Sequence, residues 1–360
     1  MGTATIQLNG LALPAERFRR QVPAPAQDLP DSFSARHDFN WLWYDAFWRD
    51  GRVHLICPKL FNFEPLVRAA AWHLDGVPAR IARLRRRRRH DIITLRARTK
   101  PGEISVAFDG FSGQSAVGDC PFDLFRGLNA HVAISQNNDL QWIRDFALFH
   151  KREHGLQAML LFDNASDRYG PEDIHAALKP VGLDAVAVVP TPYPYGPTGL
   201  YKYLQTSVLD IARLRFLRDS RATLVCDIDE LFLTDGPSLF DVAAGSRLGF
   251  ASFNGYWHYP GADHTGPASH RDHIYTHDPR RGSNSKYCIV PGGPLRWLGW
   301  DVHKPDFMSL DKLVRHDRIR FMHCRAVTTN WKGGNRYSSP DELVVDDAAR
   351  AALARVFGTR

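Results

Sequence analysis

Short hydrophobic runs in the first third of the chain have the period of two that is typical of β-strands. Apolar side chains occupy every second position over residues 93–97 and again over 104–108. Turn residues at 100–103 separate these runs, and Asp50-Gly51 separates two more, so we predict two β-hairpins. Residues 64–84 interrupt the alternation and are predicted to be helical.

From residue 128 onward, short and fully apolar runs alternate with amphipathic segments. The amphipathic segments place apolar residues at the three- and four-residue spacing of a helix. This alternation is typical of a parallel sheet flanked by helices. We therefore predict an α/β fold with a Rossmann-like, mostly parallel sheet over residues 128–360 and a smaller, mostly β accessory region over residues 1–127. The predicted strands of the larger region are 130–135, 158–162, 185–189 and 223–226.

Two regions lack a regular pattern. Residues 1 to 35 contain four prolines, and we predict an irregular arm there. Residues 254–285 are rich in Gly, Pro and His and show no core periodicity. Loops of that length inside compact domains are usually functional or mobile. A final helix is predicted over residues 340–356.

The fourth apolar run of the larger region leads directly into three carboxylates. Asp227, Asp229 and Glu230 follow this run, and apolar residues resume at Leu231. Carboxylates inside an apolar run cost free energy unless a cation meets them. At the carboxyl end of a strand, where α/β sheets hold ligands, Asp-x-Asp suits a divalent metal ion that also contacts phosphates. The simpler alternative is an acidic turn without a ligand.

The composition is that of an ordinary globular protein, with 24% charged and 44% hydrophobic residues among 360. No segment approaches the roughly 18 consecutive apolar residues of a membrane span. The N-terminal residues lack the basic and then apolar pattern of a secretory signal. Five scattered cysteines favour reduced thiols over a disulfide framework. We therefore expect a cytoplasmic protein.

A basic run at Arg83–Arg89, interrupted only by Leu84, carries part of the formal net charge of +7. Such a run can bind an anionic polymer or anionic lipid headgroups. Its alternative interpretation is a solvated helix face or loop. We expect a peripheral contact with the inner face of the membrane or with an anionic polymer, and no nucleic-acid partner.

Four motifs follow one another between residues 128 and 335. They are Ser135-Gln-Asn-Asn-Asp139 with the helix after it, Leu160-Leu-Phe-Asp-Asn-Ala-Ser166, Gln205, and Cys226-Asp-Ile-Asp-Glu-Leu-Phe-Leu233. In this order they resemble the GT-A glycosyltransferases, and most closely family 92 and the family-2-like bacterial proteins. The sequence departs from that pattern at residues 137–139, where Asn-Asn-Asp replaces the usual Arg-Asn-Glu. Residues 1–127 resemble no part of it.

The resemblance implies transfer of a sugar from a nucleotide-sugar donor, expected to be a UDP-sugar, to a saccharide or glycolipid acceptor. It also implies Mn²⁺ or Mg²⁺, because a metal ion bound to both phosphates neutralises the charge of the leaving diphosphate. Asp229 is expected to coordinate the ion directly. Asp227 is expected to act through a metal-bound water or the ribose, and Glu230 to orient these groups. GT-A enzymes usually add a late histidine, for which His323 is the first choice and His303 the alternative.

The same resemblance suggests where the nucleotide binds. Asp163 is placed to accept a hydrogen bond from the base, and the alternative is an Asx turn or a helix cap. Asn137 and Gln205 lie in motifs that contact the donor, and Lys332 is a candidate for the diphosphate.

Inversion at the anomeric carbon, which the resemblance also implies, needs a carboxylate base on the acceptor hydroxyl. Asp263 is the first candidate and Asp301 the second. Trp257 and Tyr256 are candidates for stacking on a sugar ring, unless they simply cover the sheet.

Three other hypotheses explain parts of the sequence. The histidines at 270, 273 and 277 have usable zinc spacing, although no cysteine or carboxylate set completes the ligands. A polyanion- or nucleic-acid-binding module built on Arg83–Arg89 leaves the acidic cluster unexplained. A metal-dependent phosphotransferase would need further carboxylates or a glycine-rich phosphate loop, and the sequence contains no such loop.

Overall fold

The computed structural model describes residues 2–22, 33–197, 202–262, 264–306, 308, 315–330 and 336–359. Its helices are α1 (Phe33–Arg36), α2 (Phe63–Ala69), α3 (Leu140–His154), α4 (Pro171–Leu178), α5 (Tyr203–Ile211), α6 (Leu239–Gly245) and α7 (Asp347–Phe357). Its strands are β1 (Gly2–Thr5), β2 (Leu11–Ala12), β3 (Trp41–Trp43), β4 (Asp45–Arg49), β5 (Arg52–Pro58), β6 (Ala71–Leu74), β7 (Val77–Ala79), β8 (Ile81–Arg86), β9 (His90–Arg96), β10 (Glu103–Phe108), β11 (Phe111–Ala116), β12 (Asn129–Ser135), β13 (Ala158–Asp163), β14 (Ala185–Pro190), β15 (Ala222–Val225), β16 (Glu230–Thr234), β17 (Phe250–Tyr259), β18 (Tyr275–Thr276), β19 (Gly282–Ile289), β20 (Arg315–Cys324) and β21 (Val344–Val345).

The fold is α/β, and the chain divides into two compact units. The large unit comprises residues 1–6, 123–190 and 217–360, and the small unit comprises 7–122 and 191–216. The passage from the small to the large unit at residue 122 lies close to the predicted boundary at residue 127. Unlike the prediction, neither unit is continuous in sequence. Strand β1 joins the sheet of the large unit, and helix α5 belongs to the small unit.

The large unit is built on a mixed, 11-stranded sheet. Its core is parallel, with β1, β14, β13, β12 and β15 side by side in that order. Antiparallel β19 and β17 continue the sheet beyond β15, and β20 connects β17 to β16. The strands β12, β13 and β15 are buried along their full length, which is why they appear in the sequence as continuous apolar runs.

The predicted strands and helices of the large unit are present, with two corrections. The stretch 254–285 is not an unstructured loop, because β17 extends to Tyr259, β18 follows it, and β19 begins at Gly282. The final helix begins at Asp347 and not at residue 340. Asp346 caps it by accepting hydrogen bonds from the backbone N–H groups of Ala348 and Ala349.

The small unit is mostly β, and it contains two four-stranded sheets and a β2–β3 pair. The Asp50-Gly51 hairpin is confirmed as β4–β5. The helix predicted over residues 64–84 was wrong beyond Ala69. Asp75 and Gly76 both have positive φ and form a two-residue hairpin turn between β6 and β7. That local turn signal outweighs the helical spacing.

The second predicted hairpin was also wrong. β9 pairs with β5 and β8, whereas β10 pairs with β6 and β11, so the turn at 100–103 joins strands of different sheets. The hairpin is instead β10–β11, and its turn residues Asp109 and Gly110 both have positive φ.

The arginine run lies on β8 and the residues that follow it, and not on a helix. β8 is an edge strand, and basic side chains on an edge discourage pairing with another chain. The run is not uniformly solvated. The exposed Arg86 forms an ion pair with Glu64. Arg87, in contrast, is buried, and its Nε lies 3.7 Å from Asp210 Oδ2. Among the residues that the structure describes, no helix has the length and apolar character needed to cross a lipid bilayer.

Candidate active site

Two buried histidines hold the backbone of the acidic turn between β15 and β16. His131 Nε2 donates to the carbonyl of Cys226 at 3.0 Å, and His270 Nε2 donates to the carbonyl of Ile228 at 2.8 Å. Burial lowers the pKa of each ring to about 4, so both are neutral near pH 7. The turn is therefore positioned by strand β12 and by the short helical segment His270–Asp272.

Lys286 of β19 supplies the cation for two of the carboxylates. Its Nζ donates to Asp227 Oδ2 at 2.8 Å and lies 3.2 Å from Glu230 Oε2. Glu230 also accepts a hydrogen bond from the backbone N–H of Asp227. Burial lowers the pKa of Lys286, but the two carboxylates outweigh burial and hold this pKa above its usual range. Lys286 therefore stays charged although it is only 2% exposed.

The third carboxylate, Asp229, meets His323 and Arg336. Arg336 Nη2 donates to Asp229 Oδ2 at 2.8 Å and to His323 Nε2 at 3.0 Å. Burial raises the pKa of Asp229, but the imidazole and the guanidinium outweigh it and hold the pKa well below its usual range. Asp229 is thus ionised at neutral pH. Its other oxygen, Oδ1, is buried and has no hydrogen-bond partner among the described residues.

Asp229, Glu230 and His323 form a cluster whose potential ligand atoms lie within 4.8 Å of one another. Glu230 and His323 are directly opposite each other on the antiparallel strands β16 and β20, so their side chains share one face. His323 Nε2 lies 3.0 Å from Arg336 Nη2 and 3.3 Å from Asp229 Oδ2, so this ring nitrogen faces the carboxylate of the cluster. Carboxylate oxygens, an imidazole nitrogen and the unpartnered Oδ1 are ligand types that could hold a metal ion.

The structure brings together only part of the predicted metal set. Asp229 and His323 lie in the cluster, and Glu230 joins them. Asp227 is engaged by Lys286. His303 Nδ1 contacts the carbonyl of Ser285 at 3.1 Å, and burial lowers the pKa of His303 to about 4.

The predicted nucleotide residues Asn137 and Asp163 lie at the carboxyl edge of the parallel strands, where Ser135 pairs with Asp163 in register. Asp163 accepts from the hydroxyl of Ser166 at 2.5 Å and from its backbone N–H at 3.3 Å. Asn137 Oδ1 accepts from the backbone N–H groups of residues 167 and 168. Burial raises the pKa of Asp163, against the hydrogen bonds from Ser166. Both side chains thus stabilise the loop after β13, and a contact with nucleotide stays a prediction.

Of the other predicted residues, two are described but are not members of this cluster, and two lie outside the described part of the chain. Gln205 is half-buried on α5 of the small unit. Asp301 is half-buried, and its Oδ1 accepts from the backbone N–H of Val302. Asp263 and Lys332 lie outside the described residues.

Trp257 of β17 packs on the candidate cluster. Its ring stacks on His323 with a centroid distance of 4.0 Å and an interplanar angle of 20°. Tyr256, its neighbour along the strand, points to the opposite face because strand side chains alternate. Of the two predicted stacking residues, Trp257 is therefore the one beside the cluster.

The histidines proposed for zinc do not converge in the structure. His270 is held by Ile228, His273 Nδ1 contacts the carbonyl of Ser269, and His277 contacts the hydroxyl of Tyr259. Within the described ranges, the one cluster of metal-ligand type is Asp229, Glu230 and His323.

Sequence reasoning missed three residues of this site. Lys286 and His131 received no functional role from the sequence, although a charged or polar residue inside an apolar run is itself a signal. Arg336 had no local signal, because it reaches Asp229 from 107 positions away.

No protein-family model matches the chain, and no curated protein is significantly similar to it. The geometry of the large unit is therefore the basis on which a function is assigned.

Proposed function

We propose that this protein is a metal-dependent glycosyltransferase of the GT-A class, moving a sugar from a UDP-sugar to a saccharide or glycolipid with inversion. The observation that carries the proposal is the cluster of Asp229, Glu230 and His323 beside the carboxyl edge of the parallel core of a mixed sheet. In α/β sheets this edge is where ligands bind. The four motifs that resemble the family support the same class.

In this proposal Asp229 and His323 hold Mn²⁺ or Mg²⁺, and Glu230 completes or orients the set. The ion would neutralise charge on the leaving diphosphate. Lys286 holds the carboxylate of Asp227 in place, and Asp227 would contact the donor ribose or a metal-bound water. The general base is Asp263 or Asp301, which would remove the proton from the acceptor hydroxyl.

Arg336 contacts two of the atoms that would bind a metal ion. Its guanidinium contacts both Asp229 Oδ2 and His323 Nε2. Metal binding therefore requires this side chain to move away from the cluster. Once displaced, a guanidinium near the metal is suited to bidentate contact with a donor phosphate.

A thermal-shift experiment with UDP tests the proposal. Stabilisation by UDP should require Mn²⁺ or Mg²⁺, because a ligand stabilises only the state that binds it. Asp229→Asn should abolish the metal-dependent shift and sugar transfer, and its far-UV circular dichroism should match that of the wild type. Asp235→Asn is the matched control, because it removes an exposed carboxylate on the same strand region. An equal UDP shift with and without metal would contradict the proposal.

A further inference from the structure

A cavity of about 380 Å³ adjoins the candidate cluster in the large unit, and its volume is typical of a small-molecule site. Two aromatic, two basic and two hydroxyl side chains contribute to its walls. They are Trp257, Tyr259, Arg281, Arg325, Ser338 and Ser339. Trp257 also stacks on His323, so the cavity and the candidate metal cluster share a wall.

Strand geometry explains why these side chains converge. Trp257 and Tyr259 are two residues apart on β17 and therefore lie on one face of the sheet. His323 on β20 is in register with Trp257, and Arg325 follows two residues later. The backbone N–H of Arg325 donates to the carbonyl of His258, which keeps Arg325 level with Tyr259. Arg325 thus lies about 7 Å along the strand direction from His323.

The cavity is strongly basic. Arg281 and Arg325 both line it, and no carboxylate of the described residues is among its lining side chains. The guanidinium of Arg325 lies 5.4 Å from the ring centroid of Trp257. The guanidinium of Arg336 also lies 5.4 Å from this ring centroid, so two guanidinium groups meet at Trp257. Guanidinium groups in the wall of a cavity suit a ligand that carries a phosphate or carboxylate.

A buried hydroxyl at the cavity wall also lacks a partner. Ser339 Oγ is buried and makes no hydrogen bond with any described residue. A buried hydroxyl without a partner costs free energy, and a ligand with hydroxyl groups would remove that cost. The aromatic face of Trp257, the two arginines and the unpartnered hydroxyl of Ser339 together suit a sugar that carries an anionic group.

We infer that this cavity binds the acceptor and that the acceptor is an anionic saccharide, whose sugar ring packs on Trp257 and whose phosphate or carboxylate binds Arg281 and Arg325. The inference rests on the proposed function, because it assigns the cavity the second substrate of the same site. Arg325 follows His323 by two residues, just beyond the end of β20, and this spacing separates the anionic group of the acceptor from the metal ion and the donor diphosphate.

Calorimetric titration of the 360-residue chain with Mn²⁺ and UDP tests the inference. Glucose 6-phosphate and glucuronate distinguish a phosphate from a carboxylate, whereas glucose and inorganic phosphate control for the ring and the anion alone. At least one anionic sugar should bind about tenfold more tightly than glucose and than inorganic phosphate. Arg325→Gln and, independently, Arg281→Gln should each weaken that binding about tenfold and leave the affinity for UDP with Mn²⁺ unchanged. Arg318→Gln, an exposed change on the same strand, is the control and should have no effect.

Three results would overturn the inference. Glucose or inorganic phosphate could bind as tightly as both anionic sugars, UDP could compete with the anionic sugar for one site, or both arginine variants could retain full binding. The second result would assign the cavity to the donor phosphates. If UDP binds only with Mn²⁺ while no anionic sugar binds, the proposed function stands and the inference fails. If anionic sugars bind but UDP does not, the proposed glycosyltransferase function fails instead.

Discussion

At the scale of single residues, Lys286 shows how the negative charge of the acidic turn is compensated. Its ammonium lies between Asp227 and Glu230, and both Lys286 and Glu230 are almost fully buried. Removing one partner of a buried ion pair leaves an uncompensated charge, which is more costly than the pair itself. Lys286 therefore has a structural role whether or not a metal ion binds beside it.

Lys286→Met should lower the free energy of unfolding by roughly 3–5 kcal/mol, because it leaves two carboxylates without their cation. The double variant Lys286→Met with Glu230→Gln should regain part of that loss, since one of the two charges is also removed. Urea unfolding at pH 7.5 in the presence of a chelator measures both. Equal stability of the two variants would contradict this charge balance.

Asp163 combines a structural and a candidate binding role in one carboxylate. Its two oxygens accept from Ser166, as expected of the Asx-turn alternative, and the side chain is 6% exposed. Asp163→Ala should weaken UDP binding at least about tenfold in calorimetry, while Mn²⁺ binding without UDP stays the same.

Ser166→Ala is the matched control for Asp163, because it removes the hydroxyl hydrogen bond and keeps the carboxylate. It should affect UDP binding much less than Asp163→Ala does. Equal effects of the two changes would mean that Asp163 acts only through the turn.

At the scale of secondary-structure elements, buried histidines connect helices to strands in the large unit. His154, at the end of α3, donates from Nε2 to the carbonyl of Phe232 on β16 at 2.7 Å. Its Nδ1 accepts from the backbone N–H of Leu239 at the start of α6. This arrangement needs the neutral ring, and burial lowers the pKa of His154 to about 4. The connection among the three elements is therefore sensitive to acid.

The pH dependence of stability follows from that shift. An unfolded histidine has a pKa near 6.5, so between pH 6.5 and about 4 the unfolded chain binds the proton and the folded chain does not. Stability must then fall as the pH is lowered through this window. From pH 7.5 to pH 5, His154 alone should account for a loss of about 2 kcal/mol.

His154→Gln tests this contribution, because an amide can donate and accept in similar directions but does not titrate in this range. Urea unfolding measures the free energy of unfolding at pH 7.5 and at pH 5. The decrease between these two pH values should be about 2 kcal/mol smaller in the variant than in the wild type. A variant with the same pH dependence as the wild type would contradict the assignment of a neutral, buried ring.

At the scale of the whole molecule, the net charge of +7 is not carried by one uniform patch. Within the arginine run of the small unit, Arg83 and Arg88 are exposed, whereas Arg87 is buried beside Asp210. A surface interaction of this run with anionic lipid therefore depends on its exposed members. The buried member contributes to stability.

Replacing Arg83 and Arg88 together by Gln should weaken binding to phosphatidylserine vesicles about 30-fold, since each surface arginine contributes about 1 kcal/mol. The free energy of unfolding measured with urea should be nearly unchanged. Vesicle cosedimentation at low and high salt measures the effect, and high salt should abolish it. The matched control replaces Arg247 and Arg318, two exposed arginines of the large unit. Equal losses in both double variants would mean that the run has no special role.

Local patterns were sufficient for the buried strands and for the acidic turn. Continuous apolar runs report burial on both faces, so the strands β12 to β15 could be predicted from the sequence. Where two local signals competed, the pattern was insufficient, as at Asp75-Gly76, where a turn ended a predicted helix. The partner of β10 also could not be predicted, because pairing depends on residues in other parts of the chain.

By itself, the sequence determined the class of fold and the position of the carboxylates at the end of a buried strand. Only the tertiary structure decided which group meets each carboxylate. Lys286 reaches Asp227 across 59 positions, and Arg336 reaches Asp229 across 107. The physical reason is that periodicity reports whether a side chain is buried, whereas its neighbours are set by the pairing of distant strands.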